Sequence, residues 1–139
     1  MTAVGFLTPL VYEHIGGRMR RLREPLIYQG YDDQGNPLDR FEVPAGFESD
    51  LASIPRLFWN IFPPDDDNYV RAAWVHDYNC KYQQISRLDA DRLFRKMMRV
   101  EGAGWCKRQT IYCMVRAFGW YAWHQRAKEL AQADAPPPQ

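Results

Sequence analysis

Tyr69-Val70-Arg71-Ala72-Ala73-Trp74-Val75-His76-Asp77-Tyr78-Asn79-Cys80-Lys81-Tyr82 and, after Gln83-Gln84-Ile85, Ser86-Arg87-Leu88-Asp89-Ala90-Asp91-Arg92-Leu93-Phe94 are the two segments on which the fold turns. In the first, Tyr69, Ala72, Ala73, His76 and Cys80 recur at helical spacing, which predicts a helix over 69–82 with one inward stripe. In the second, Ser86 followed three places later by Asp89 fits a capping box, with Ala90, Leu93, Phe94 and Met97 on the apolar face behind it. The connection at Gln83 to Ile85 is short, so the two helices are expected to run as antiparallel neighbours. Glycines at 102 and 104 end the second helix, and a third is expected from about Trp105 to Leu130.

Upstream, the pattern changes period. Leu26-Ile27-Tyr28 and Phe41-Glu42-Val43 flank the turn cluster Asp32-Asp33-Gln34-Gly35-Asn36-Pro37, which predicts a β-hairpin. Phe6-Leu7 and Val11-Tyr12 add a candidate edge strand, and Gly16-Gly17 leads into Arg18-Met19-Arg20-Arg21-Leu22-Arg23. That basic run reads as a charged guard on an exposed sheet edge in preference to a nucleic-acid arm, because few aromatics interleave it. Ser53 and Pro55 are suited to opening a short helix through Trp59 or Phe62. Asp65-Asp66-Asp67-Asn68 reads as the acidic approach to the next helix, with Asp67 or Asn68 as its cap. The expected fold class is therefore α+β, a small N-terminal antiparallel sheet or hairpin followed by three helices. Residues 1–131 form one domain in this reading, and 132–139 form a flexible Pro-rich tail.

Composition narrows the function classes. Eighteen Lys and Arg against seventeen Asp and Glu give a net charge of +1, so no global field points to nucleic acid or an anionic membrane. No apolar run is long enough for a spanning helix, and the first residues lack the basic and apolar regions of a secretory signal. Three cysteines, Cys80, Cys106 and Cys113, without CxxC spacing suit a reducing compartment and read as small packing residues. Trp120 and Trp123 on the aromatic third helix offer a surface for self-association or for a partner if they remain exposed.

The candidate site is a polar cluster on the helix pair. His76 lies on the inward stripe of its helix and needs a polar partner there, and Asp77 follows it about 100° further round. Asp91 on the next helix approaches this pair, and Asp50 joins it from the loop after the sheet. An imidazole held by a buried carboxylate is the arrangement of a positioned general base, with water as nucleophile, and His76, Asp77 and Asp91 are its catalytic candidates. Asp50, His76, Asp77 and Asp91 also form a mixed oxygen and nitrogen set of the kind that binds a divalent metal ion. The competing reading is a buried His-Asp hydrogen bond that ties two helices and does no chemistry. Asp89 is accounted for by its cap.

The string Phe41-Glu42-Val43-Pro44-Ala45-Gly46-Phe47-Glu48-Ser49-Asp50-Leu51-Ala52-Ser53-Ile54-Pro55-Arg56, with Ala72-Ala73-Trp74-Val75-His76-Asp77-Tyr78 and Ser86-Arg87 through Ala90-Asp91 and Phe94, resembles the domain-of-unknown-function 1353 family. The resemblance implies a protein of tailed bacteriophages and prophages, acting in the host bacterial cytoplasm or in the virion. The helix with His76 and Asp77 beside an antiparallel helix with Asp91 is also similar to the catalytic helix pair of phospholipases A2. That likeness implies His76 as the base that activates water, Asp77 as a calcium ligand and Asp91 as the group that orients His76. The calcium-loop glycines and paired cysteines of the secreted enzymes have no counterpart here. Ala72-Ala73-Trp74-Val75-His76-Asp77 is similar, too, to a helix of the His-Asp phosphohydrolases, which need a further His and Asp on other helices. These readings point to a phage hydrolase of a lipid, cell-wall or phosphoester substrate, and alternatively to a non-enzymatic virion or tail-assembly component, or a binder of a host factor.

Overall fold

The structure, a computed structural model, describes residues 5–51, 58–63 and 66–134. Its elements in chain order are β1 (Gly5–Phe6), β2 (Tyr12–Gly16), β3 (Met19–Leu22), β4 (Leu26–Tyr31), β5 (Pro37–Val43), β6 (Glu48–Ser49), α1 (Val70–Tyr82), α2 (Arg87–Val100) and α3 (Trp105–Ala133). The chain is α+β, as its two periodicities require. The opening of a short helix by Ser53 and Pro55 falls outside the described residues, as does the tail beyond 134. Helix α3 runs three residues past 130.

The predicted hairpin is β4 and β5, antiparallel, with Leu26 opposite Val43 and Tyr28 opposite Phe41. Its turn is built by Asp32, whose carboxylate accepts from the amides of Gln34 and Asn36 at 2.9 and 2.8 Å. Gly35 takes a φ of 82°, a left-handed conformation that favours glycine. β1 completes this sheet in the order β1-β4-β5.

The second sheet corrects the reading of the basic run. Its order is β2-β3-β6, so Met19–Leu22 is the central strand and not an exposed edge. Charge is tolerated there because both neighbours answer it: Arg21 lies across from Glu13 on one side and Glu48 on the other. Its guanidinium donates to Glu48 at 2.8 and 3.1 Å and to Glu13 at 3.4 Å. These pairs are well exposed and set register more than stability.

α1 is the central helix. Val70, Ala72, Ala73, Trp74, Val75, His76 and Asn79 are all buried, which spreads its buried surface well beyond the single stripe expected from spacing. Trp74 is fully buried, packed against Tyr12 and Phe47 of the sheet side. Neither Asp67 nor Asn68 caps it; the N-cap is Tyr69, whose side chain makes no capping hydrogen bond, and Asp66 shapes the approach by accepting from the Asn68 amide and pairing with Lys107. Gln83 ends α1 in a left-handed conformation with φ 51°. α2 then starts on Ser86, whose hydroxyl accepts from the Asp89 amide at 3.1 Å as the capping box predicts.

α3 packs through only three buried residues, Ile111, Met114 and Val115. Beyond Val115 no residue of the helix is buried. Its distal half lies against the end of α1 through hydrogen bonds from Gln83 Nε2 to the Trp123 carbonyl and from Arg126 Nε to the Lys81 carbonyl. No helix among the described residues is long and apolar enough to cross a membrane.

Candidate active site

His76 and Asp91 meet as the helix pairing requires. Nε2 of His76 lies 2.6 Å from Oδ1 of Asp91, and both residues are buried, at 5% and 2% exposure. The imidazole also packs edge-on against Phe94, with ring centroids 4.7 Å apart, so its plane is set from two sides. Both contacts come from α2, one turn apart, which is why the inward face of that helix fixes the ring.

Asp91 is shared. Its Oδ2 accepts from Arg116 Nη1 at 2.8 Å and lies 3.5 Å from Arg87 Nη1. Arg87 also donates to the α3 carbonyls of Arg116 and Val115, at 3.2 and 3.5 Å. The two helices thus exchange arginines: Arg87 of α2 reaches the backbone of α3, and Arg116 of α3 reaches the carboxylate of α2. Arg87 stands four residues before Asp91, a spacing the sequence displays. Arg116 is remote in sequence, and only tertiary packing brings it in.

The remaining candidates line the same cavity. Asp50, His76, Asp77 and Asp91 all border one recess of about 470 Å³, between the β3/β6 side, α1, the start of α2 and the distal half of α3. Asp77 accepts from the Ser49 hydroxyl, which in turn accepts from the Leu51 amide at 3.0 Å. Leu51 is buried at a φ of 56°, a conformation that branched residues rarely adopt and that a tight turn around Ser49 and Asp50 imposes. Ser49 was not singled out by its sequence context, although it lies in the quoted family string.

Cys80 belongs to the site as well. Its Sγ lies 3.8 Å from Nε2 and 3.9 Å from Nδ1 of His76, equidistant from the two ring nitrogens, which is a packing contact and not a bond directed along either lone pair.

These contacts shift the titration of both members of the dyad. Burial alone would lower the pKa of His76, but the neighbouring Cys80 and the Asp91 carboxylate more than reverse this and raise it to about 10. Burial works against ionised Asp91 in turn, and its bonds to His76 and Arg116 outweigh that and hold its carboxyl below the usual range. At neutral pH the pair therefore rests as imidazolium and carboxylate.

As a metal centre the four expected residues fit poorly. Both oxygens of Asp91 are directed at cations, and Nε2 of His76 is directed at Asp91, so neither residue turns these atoms to a metal ion. Among the described residues no three His, Cys, Asp or Glu side chains are grouped to hold one. Glu48, Asp50 and Asp77 are the other carboxylates on the cavity border.

Residues 20–115 match the family described as "Protein of unknown function (DUF1353)". The chain belongs to the DUF1353 family. The match contains the hairpin, all of α1 and α2, and α3 as far as its last buried residue. The DUF1353 chain is also similar to "Uncharacterized protein y4jT" of Sinorhizobium fredii, at 35% identity over 81 residues, 58% of this chain and 24% of that protein. It thus spans about a quarter of the length of that relative. No solved structure matches it.

Proposed function

We propose that this DUF1353 chain is a hydrolase in which His76 and Asp91 form the proton-transfer dyad. The observation that supports the reading is the 2.6 Å contact between the two in the lining of a cavity that Asp50 and Asp77 also border. Because the imidazole rests protonated, His76 enters the cycle as the acid, delivering a proton to the leaving group, and not as the resting base that its helix position alone suggests. The carboxylates of Asp77 and Asp50 are then the groups that draw a proton from water. No step of this scheme is routed through a metal.

The substrate is of the lipid, cell-wall or phosphoester class, and the setting is the phage or prophage that the family resemblance implies, in the host cytoplasm or the virion. The test is a hydrolase screen of the purified chain and its His76→Gln variant, read together with thermal stability. Turnover lost in a variant that still melts cooperatively supports the dyad; unchanged turnover in His76→Gln removes it. The pH profile separates acid from base, since an acid role makes kcat/KM fall as pH rises through about 10 and a base role makes it climb.

A non-enzymatic binding role is favoured by one observation. Trp105, Trp120 and Tyr121 of α3 are 64%, 53% and 61% exposed, more aromatic surface than a lone helix needs. Trp123, by contrast, lines the cavity, so the expected pair of tryptophans faces two directions. Sedimentation of the wild type and a Trp120→Ser variant checks whether this face joins copies of the chain.

A further inference from the structure

The cavity has two chemically different parts. His76 and Asp91 are buried members of its lining, at 5% and 2% exposure, while the wall made by α3 presents Val115, Phe118, Ala122 and Trp123. Met19 and Phe47 face that wall from the sheet side. Phe118 at 58% and Met19 at 37% exposure mark the rim, where apolar surface meets water. A ligand in this recess meets apolar surface along α3 and the buried dyad beside it.

Each cation of the lining has partners within the chain. Arg87 holds two α3 carbonyls and Asp91, and Arg126 holds the Lys81 carbonyl and Glu129, the latter at 2.9 Å. Lys81 lies over the Phe47 and Tyr82 rings at 5.5 and 5.8 Å. A phosphoester would need arginines turned toward it with donors to spare, and a glycan or peptide of the cell wall would need polar walls to replace its hydration. Along α3 the lining is apolar from Val115 to Trp123, with Arg126 at its end. An apolar chain needs only the removal of its surface from water, which this wall provides.

We infer that this cavity recognises an apolar arm, and that its substrate is a carboxylic ester whose acyl chain lies along Val115, Phe118, Ala122 and Trp123 with the ester bond at His76. The recognition of the arm stands on the lining alone; the word substrate rests on the hydrolase reading. In the reaction, water adds to the acyl carbon, the bond to the alcohol oxygen breaks, and the alcohol leaves with the proton of His76 while a cavity carboxylate takes the proton of water.

The experiment uses the full chain with para-nitrophenyl esters from acetate to octanoate, and with decanoate alone as a calorimetric binding probe. The expected result is a kcat/KM that rises by at least about tenfold along the series, together with decanoate binding that Ala122→Trp, which fills the channel, abolishes. Hydrolysis with no dependence on chain length overturns the apolar arm and leaves the hydrolase in place. Decanoate binding that is lost in Ala122→Trp, without turnover of any ester, upholds the arm and overturns the hydrolase. Absence of both turnover and binding overturns the inference.

Discussion

Replacing Asp91 by Asn keeps the shape of the side chain and a carbonyl oxygen that can still accept from His76 Nε2, and removes only the charge. The consequences follow from what that charge holds. His76 is 5% exposed and its pKa is raised from 6.5 to about 10, which corresponds to about 5 kcal/mol of preference for the imidazolium over the neutral ring. Without the carboxylate, one of the two neighbours that raise the ring is gone, burial weighs more, and the midpoint of His76 falls. Arg116 and Arg87, at 2.8 and 3.5 Å from the same carboxylate, lose their counter-charge at once. Breaking a buried pair from one side costs about 3–5 kcal/mol, and Asp91→Asn belongs in that range, or a fall in Tm of about 10 °C or more.

The sign of the pH dependence follows from the direction of the shift. A folded-state pKa above the unfolded one stabilises fully below about 6.5, and the contribution is lost as pH rises through about 10. The difference between wild type and Asp91→Asn in urea denaturation is therefore largest near pH 6 and shrinks toward pH 10. With three histidines in the chain, a proton NMR titration resolves the ring of His76 directly. A wild-type His76 that titrates near 6.5, or a midpoint that Asp91→Asn leaves unmoved, refutes the charged dyad whatever the stability shows.

Other substitutions separate the parts of the cluster. Arg116→Met removes the guanidinium from Oδ2 of Asp91, so the same NMR titration is expected to show His76 moving up, opposite to its move in Asp91→Asn, with a stability loss of about 1.5–3 kcal/mol. Ser49→Ala deprives Asp77 of a donor and the Leu51 amide of its acceptor, and is expected to cost about 1–2 kcal/mol in urea denaturation while leaving the His76 midpoint in place. Ser86→Ala removes the α2 cap, which accepts from the Asp89 amide at 3.1 Å, for a loss of about 1 kcal/mol by the same measurement.

The parts of the fold legible in the sequence are those decided within a few residues. The Ser86 cap, the Asp32 to Pro37 turn and the glycine beyond α2 act on their immediate neighbours, so composition and spacing find them. The position of Met19–Leu22 is decided elsewhere. A strand with Arg20 and Arg21 looks like an edge until Glu13 and Glu48 are placed on its two sides, and Glu48 is 27 residues from Arg21. Trp74 escaped the helical stripe for a related reason: α1 is covered by the sheets as well as by α2, so a residue off the stripe is as buried as one on it.

The site divides along the same line. The meeting of His76 and Asp91 needed only helical phase and a short connection, both of which are local. The charge state of the pair could not be read that way, because it depends on Asp91 as it sits among its neighbours. Arg116, 25 residues away, binds the carboxylate and helps keep it ionised beside His76. An ionised Asp91 in turn holds the imidazole protonated at neutral pH. Spacing thus brought the pair together and suggested a base; the neighbours of the ring, Cys80 and the Asp91 carboxylate, raise its pKa, and in the proposed hydrolase that makes His76 the acid.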